Sequence, residues 1–192
     1  MGREFELKFA ATEAVQARIR ATYGPWTRIH METTYFDTAD GALSAHRMTL
    51  RLRKENQRCV CTLKTPLPDG SRGEWECDAE DIQQGIRALI AAGAPKLLAE
   101  LTARGVQPSC GAKFIRDAAR IPTADGMAEL ALDSGVLLGG GKQRPLCEIE
   151  VELKEGSEKA TVFFAAQLAT QYSLEGEPDS KFRRAMALAQ GE

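Results

Sequence analysis

The chain has 192 residues, 43% of them hydrophobic and 27% charged, with a formal net charge of -2. That balance fits one soluble globular domain over residues 1–192 and excludes a globally basic nucleic-acid binder or a polybasic membrane-surface protein. Five cysteines, odd in number and without C-x-x-C spacing, speak for reduced thiols in a cytoplasmic protein, and no apolar run reaches membrane-spanning length.

The first predicted strand, Glu4-Phe5-Glu6-Leu7-Lys8, alternates charge with apolar bulk. A strand sends successive side chains to opposite faces, so Glu4, Glu6 and Lys8 share one face and Phe5 and Leu7 the other. Ala10 to Tyr23 reads as a helix, with Thr12 able to cap it and Val15 and Ile19 at helical spacing. A strand follows from Ile29 to Asp37, then a turn at Thr38–Gly41 and a short connector from Ala42 to His46. Thr49–Lys54 alternates strictly, with Arg51 and Arg53 together and Leu50 and Leu52 opposite. Arg58–Lys64 is its partner strand after a turn near Glu55–Gln57, and Pro66–Gly70 reads as a loop. Arg72–Cys77 alternates again, with Arg72, Glu74 and Glu76 opposed to Trp75 and Cys77.

Between Ala79 and Gly105 the period becomes helical, which predicts two helices broken at Gly93-Ala94-Pro95. Strands resume at Lys113–Ile121 and Met127–Asp133, and Ser134–Pro145 reads as a glycine-rich turn region. Cys147–Leu153 is the sharpest alternation, setting Glu148, Glu150 and Glu152 against Ile149, Val151 and Leu153. A helix over Ser157–Tyr172 and a short final helix after Ser180 complete the chain. His30 and His46 are isolated and read as surface residues. Arg183 and Arg184 read as solvated helix residues, with a base at the mouth of a lumen as the alternative for either. About eight strands in meander order predict an α+β protein with an antiparallel sheet, open to closure as a barrel.

The charged strand faces admit two readings. They are solvated on an open sheet whose other side is packed by helices, or they line a barrel lumen with the helices outside. Segregation of sign by strand favours the lumen: acids at Glu4, Glu6, Glu148, Glu150 and Glu152, bases at Arg51 and Arg53. Such a lumen is costly unless something neutralises it. A polyanion with divalent cations would do so, because arginine and lysine match phosphate oxygens and carboxylates supply hard oxygen ligands.

The ordered set of these motifs resembles the CYTH family, also called triphosphate tunnel metalloenzymes. It is carried by Glu4-x-Glu6-x-Lys8, Tyr35–Thr38, Leu50–Arg53, Thr62–Lys64, Arg72 with Glu74, Arg116, Glu129–Asp133, Glu148–Glu152 and Ser180-Lys181. The resemblance implies an eight-stranded antiparallel tunnel with helices packed outside. It implies metal ligation by Glu4, Glu6, Glu148, Glu150 and Glu152, with Mg²⁺ or Mn²⁺, two per site, as cofactor. It implies substrate binding by Lys8, Arg51, Arg53, Lys64, Arg72, Arg116 and Lys181. Catalytic roles fall to Lys8, Arg51, Arg53, Glu74 and Asp133, the last two holding a second metal or orienting water.

Within the family the spacing is most similar to bacterial inorganic triphosphatases, which cleave tripolyphosphate to pyrophosphate and phosphate. The expected partner is therefore a small-molecule triphosphate, with no nucleic acid, no membrane and either a monomer or a homodimer. Thiamine triphosphatase would need an aromatic platform, for which only Trp26 and Trp75 are tryptophans; nucleoside triphosphatase is a further alternative. The adenylate-cyclase branch often carries a His-Phe pair before the first motif, and here Met1-Gly2-Arg3 stand there. A non-catalytic polyphosphate-binding module is the alternative from another class.

Overall fold

The computed structural model describes residues 2–3, 5–67 and 72–191. Ten strands form one antiparallel sheet: β1 (Gly2–Arg3), β2 (Glu6–Ala10), β3 (Thr27–Asp37), β4 (Thr49–Glu55), β5 (Arg58–Pro66), β6 (Arg72–Asp78), β7 (Gln107–Pro122), β8 (Met127–Gly139), β9 (Lys142–Glu155) and β10 (Glu175–Gly176). Eight are full strands, as expected, and β1 and β10 add two residues each. Helices α1 (Glu13–Thr22), α2 (Ala42–Ala45), α3 (Ile82–Ala91), α4 (Lys96–Thr102), α5 (Glu158–Tyr172) and α6 (Lys181–Gln190) are inserted between strands or follow them.

The strand order is β1-β6-β5-β4-β3-β7-β8-β9-β2-β10. β1 lies at one end of that order and β2 next to the other, yet only residues 4 and 5 separate them in the chain. Three peptide units span at most about 11 Å, so the two ends of the sheet must come close together. Of the expected turn and loop segments, Pro66–Gly70 lies in part outside the described residues.

The alternation read from the sequence sets which face is which. Leu130, Leu132, Ile149 and Val151 point outward and are buried against Ile19 of α1 and Ala165 and Leu168 of α5. Leu50, Leu63 and Trp75 point outward under Leu43 of α2, Ile86 and Leu89 of α3, and Leu98 of α4. Burying each such aliphatic side chain contributes about 1.5–3 kcal/mol. Four helix N-termini are capped by side chains: Thr12, Asp81, Ser157 and Ser180 each accept a backbone N–H of the first turn.

Two expectations need correction. Ser134–Pro145 is not a turn region: β8 runs to Gly139, the turn is Gly140-Gly141 alone, and β9 starts at Lys142. Both turn glycines have positive φ, 57° and 73°, the conformation a two-residue hairpin turn requires. The remaining residues pair in register, with Leu137 and Leu146 buried. The second correction concerns α6, which does not lie on the outer face. Its Ala185, with Phe182 and Met186, joins a cluster containing Met31, Tyr35, Ala112 and Phe114. Tyr35 is the cross-strand partner of Arg51, so this cluster is on the charged face of the sheet. Five helices therefore cover the outside and α6 fills part of the inside.

Candidate active site

A cavity of about 430 Å³ opens on the inner face of the sheet. Glu6 and Lys8 of β2 line it, whereas Leu7 and Phe9 belong to the outer core, so the predicted parity of this strand holds. Glu4 lies outside the described residues. Cross-strand register explains the grouping of the acids: Glu6 faces Glu152, Glu152 faces Glu129, and Lys8 faces Glu150. One wall is thus built from the carboxylates of β2, β8 and β9.

The opposing wall comes from β4, β5 and β6. Arg51, Arg53, Lys64, Arg72, Glu74 and Glu76 all line the cavity. Arg51 and Lys64 approach Glu74 at 3.8 and 3.5 Å, and Arg51 and Arg53 each stand 4.0 Å from Glu76. These are loose pairs, while Arg53 also pairs closely with Glu55. The buried Arg53 Nε has no acceptor among the described residues. Burial, then the neighbouring Arg51 charge, pushes the Arg53 guanidinium down from its ordinary value. A phosphate oxygen arriving here would relieve both penalties.

Deeper in, three acids and three bases lock together. Asp133 accepts two hydrogen bonds from Arg116, at 2.8 and 2.7 Å, and forms an ion pair with Lys181 at 2.7 Å. Lys181 also donates to Glu148 and, at 2.8 Å, to Glu150; Arg116 reaches Glu150, and Arg184 reaches Glu148. Asp133 and Glu148 are fully buried. Burial works to raise the Glu150 carboxyl, but Lys181 and Arg116 outweigh it and hold it well below the usual carboxylate range. Burial, less fully offset by Lys181, pushes the Glu148 carboxyl up. Lys181 is raised because Asp133, Glu150 and Glu148 overcome its desolvation.

Asp133, Glu148 and Glu150 each offer a carboxylate oxygen within 4.8 Å of the others. That donor set fits a hard divalent ion such as Mg²⁺ or Mn²⁺. Lys181 Nζ stands among the same three carboxylates.

The structure therefore brings Glu6, Lys8, Arg51, Arg53, Lys64, Arg72, Glu74, Arg116, Glu150, Glu152 and Lys181 to one cavity. Asp133 and Glu148 sit behind it, sealed by Arg116, Lys181 and Arg184. The reading from sequence missed Lys154, although it continues the parity of Glu148, Glu150 and Glu152 and lies 2.7 Å from Glu152. Glu55, which continues the parity of Arg51 and Arg53, lies on β4 and lines the cavity, whereas the sequence reads it as part of the turn. Arg184 is not solvated: its side chain is 17% exposed, against 78% for Arg183. Its spacing of three from Lys181 on a helix was the available signal. His30 and His46 are exposed, as expected.

Residues 2–186 match the CYTH domain. An inorganic triphosphatase of Haemophilus influenzae is 26% identical over 98% of this chain, and the chain spans 55% of that relative's length. Among solved structures, a Pyrococcus horikoshii protein, PH1819, superposes with a TM-score of 0.65 at 19% identity, covering 98% of this chain and 99% of the other. A Hippeastrum protein described as a putative adenylyl cyclase with a dominant triphosphatase activity gives 0.64 at 22% identity, covering 98% and 95%. The sheet, its order of charged strands and the match along nearly the whole chain agree: this chain belongs to the CYTH domain family.

Proposed function

We propose that the protein hydrolyses a triphosphate with the help of divalent metal, its substrate being inorganic tripolyphosphate and its products pyrophosphate and phosphate. One observation carries this reading: a carboxylate wall on β2, β8 and β9 faces an arginine–lysine wall on β4 and β5 across a single cavity. A phosphate-binding module would need only the second wall. The name of the Haemophilus influenzae relative supports the choice of an inorganic substrate.

Two acidic groups would each hold one ion: Glu6 with Glu152 at the cavity wall, joined by Glu4, and Glu148 with Glu150 and Asp133 deeper in, where the ion would take the place of the Lys181 ammonium among them. A bound ion would neutralise phosphate charge and supply a more acidic water. Arg51, Arg53, Lys64 and Arg72 would bind the phosphate chain and fix its orientation, exchanging their loose contacts with Glu74 and Glu76 for phosphate oxygens. Lys8, Arg116 and Lys181 would hold the charge that develops on the transferred and leaving groups. Glu74 would orient the attacking water by accepting its proton.

The test is phosphate release from tripolyphosphate, ATP and thiamine triphosphate with Mg²⁺ or Mn²⁺, with cyclic AMP scored in parallel. Tripolyphosphate is expected to be turned over fastest. Glu6→Gln and Glu150→Gln are each expected to lower kcat by about a hundredfold or more. Full turnover in both variants would remove the metal assignment. Tight binding without phosphate release would leave a binding module, and cyclic AMP as the main product would make the protein a cyclase.

A further inference from the structure

We propose that Gln16, on the outer helix α1, is a positioning residue that sets the deep carboxylates from behind the sheet, by gripping the backbone of the two residues that carry them. Gln16 Nε2 donates to the carbonyl oxygens of Asp133, at 3.0 Å, and Glu148, at 2.9 Å. These residues are direct cross-strand partners on β8 and β9. Their side chains point inward to Arg116, Lys181 and Arg184, while Gln16 reaches their backbone from α1, whose Ile19 packs in the outer core. The inference rests on the triphosphatase reading, since it concerns the same carboxylates.

The position is unusual for an amide. Gln16 is 1% exposed and lies three residues before Ile19, on the stripe of α1 that would ordinarily be apolar. A buried amide is costly unless every donor and acceptor is matched. Here both N–H groups meet a carbonyl, and the amide oxygen accepts from Ser134 Oγ at 2.5 Å. The two carbonyls fix the amide's orientation, because the flipped amide would turn its oxygen against them, and the Ser134 hydroxyl then satisfies that oxygen. Packing alone would be better served by leucine or methionine. The hydrogen bonds instead tie α1 to the one cross-strand pair whose side chains compose the deep site. Such support from behind a ligand set governs how well it holds its ion.

The experiment compares wild type with Gln16→Met, which keeps length and loses the donors, and Ser134→Ala, which removes only the hydrogen bond to the amide oxygen. Mn²⁺ affinity is measured by calorimetry without substrate, beside kcat and KM for tripolyphosphate and the melting temperature. Gln16→Met is expected to bind Mn²⁺ about tenfold more weakly and to lose kcat by a similar factor. Its KM should stay within about twofold, because the phosphate-binding wall on β4 and β5 is untouched. Ser134→Ala should show the same pattern in smaller degree, and it keeps the question answerable if Gln16→Met does not fold. A lowered melting temperature with wild-type Mn²⁺ affinity and kcat would make Gln16 a structural residue only and overturn the inference. If the wild type itself neither binds Mn²⁺ nor releases phosphate, the triphosphatase reading fails and takes this inference with it.

Discussion

Asp117 shows how parity alone separates two arginine-bound aspartates. Its neighbour Arg116 points into the cavity, so Asp117 points outward, where Arg28 and Arg20 hold it at 2.8 and 2.9 Å. The Arg28 hydrogen bond, working against burial and joined by Arg20, holds the carboxyl below its ordinary value of 3.8. A depressed carboxylate stabilises the fold above its unfolded pKa, and that contribution is lost as pH falls through the folded value. Urea denaturation between pH 7 and pH 2 should therefore show a fall in stability below about pH 4 that Asp117→Asn makes shallower. An unchanged profile in the variant would remove Asp117 from the account. At this scale the sequence was informative about the cavity wall. Alternation in β2, β4, β6 and β9 placed Glu6, Arg51, Glu74 and Glu150 on one face without knowledge of their partners. It could not tell that Glu148 is sealed from the cavity by Lys181 and Arg184, because those cations come from a helix whose docking no local pattern encodes.

Among the elements, α6 decides the shape of the site. It seats on β8 by close backbone approach in addition to side-chain packing: a Cβ at Gly139 would meet Ala185 O at 2.3 Å and Ala189 N at 2.7 Å. Lys181 begins the same helix, one turn before Ala185, so the depth of that seat sets how far its ammonium enters the carboxylates. Gly139→Ala should push the helix off the strand. The expected loss of stability is about 1–3 kcal/mol by urea denaturation, accompanied by a lower kcat. Gly176→Ala, where an added Cβ meets nothing within 4 Å, is the matched control and should change neither. If both variants behave alike, close approach at Gly139 does not hold α6. The helix itself was legible from Ser180, which caps it, but the face it covers was not. Phe182, Ala185, Met186 and Ala189 mark one apolar face of the helix but not which side of the sheet that face meets, and the glycine-rich Ser134–Pro145 reads as a long turn when only Gly140-Gly141 make it.

For the molecule as a whole, the pairing of the first strand has a consequence for the order in which the wall is assembled. Most of the sheet is built of neighbours in sequence, as in the β8–β9 hairpin, where residue 139 faces residue 142. β2 is different: residue 8 faces residue 150, and β1 reaches back to β6. Loop-closure entropy makes such distant pairings late, and a chain emerging from the ribosome cannot make this one until residue 150 has been synthesised. The opening segment therefore waits, unpaired, for the strand that completes it. In pulsed hydrogen exchange during refolding, the amides of β2 should gain protection after those of β7 and β8, and early protection of β2 would contradict this order. The strand that supplies Glu6 and Lys8 would then be the last to arrive, so that the cavity has its full lining only once this distant pairing has formed.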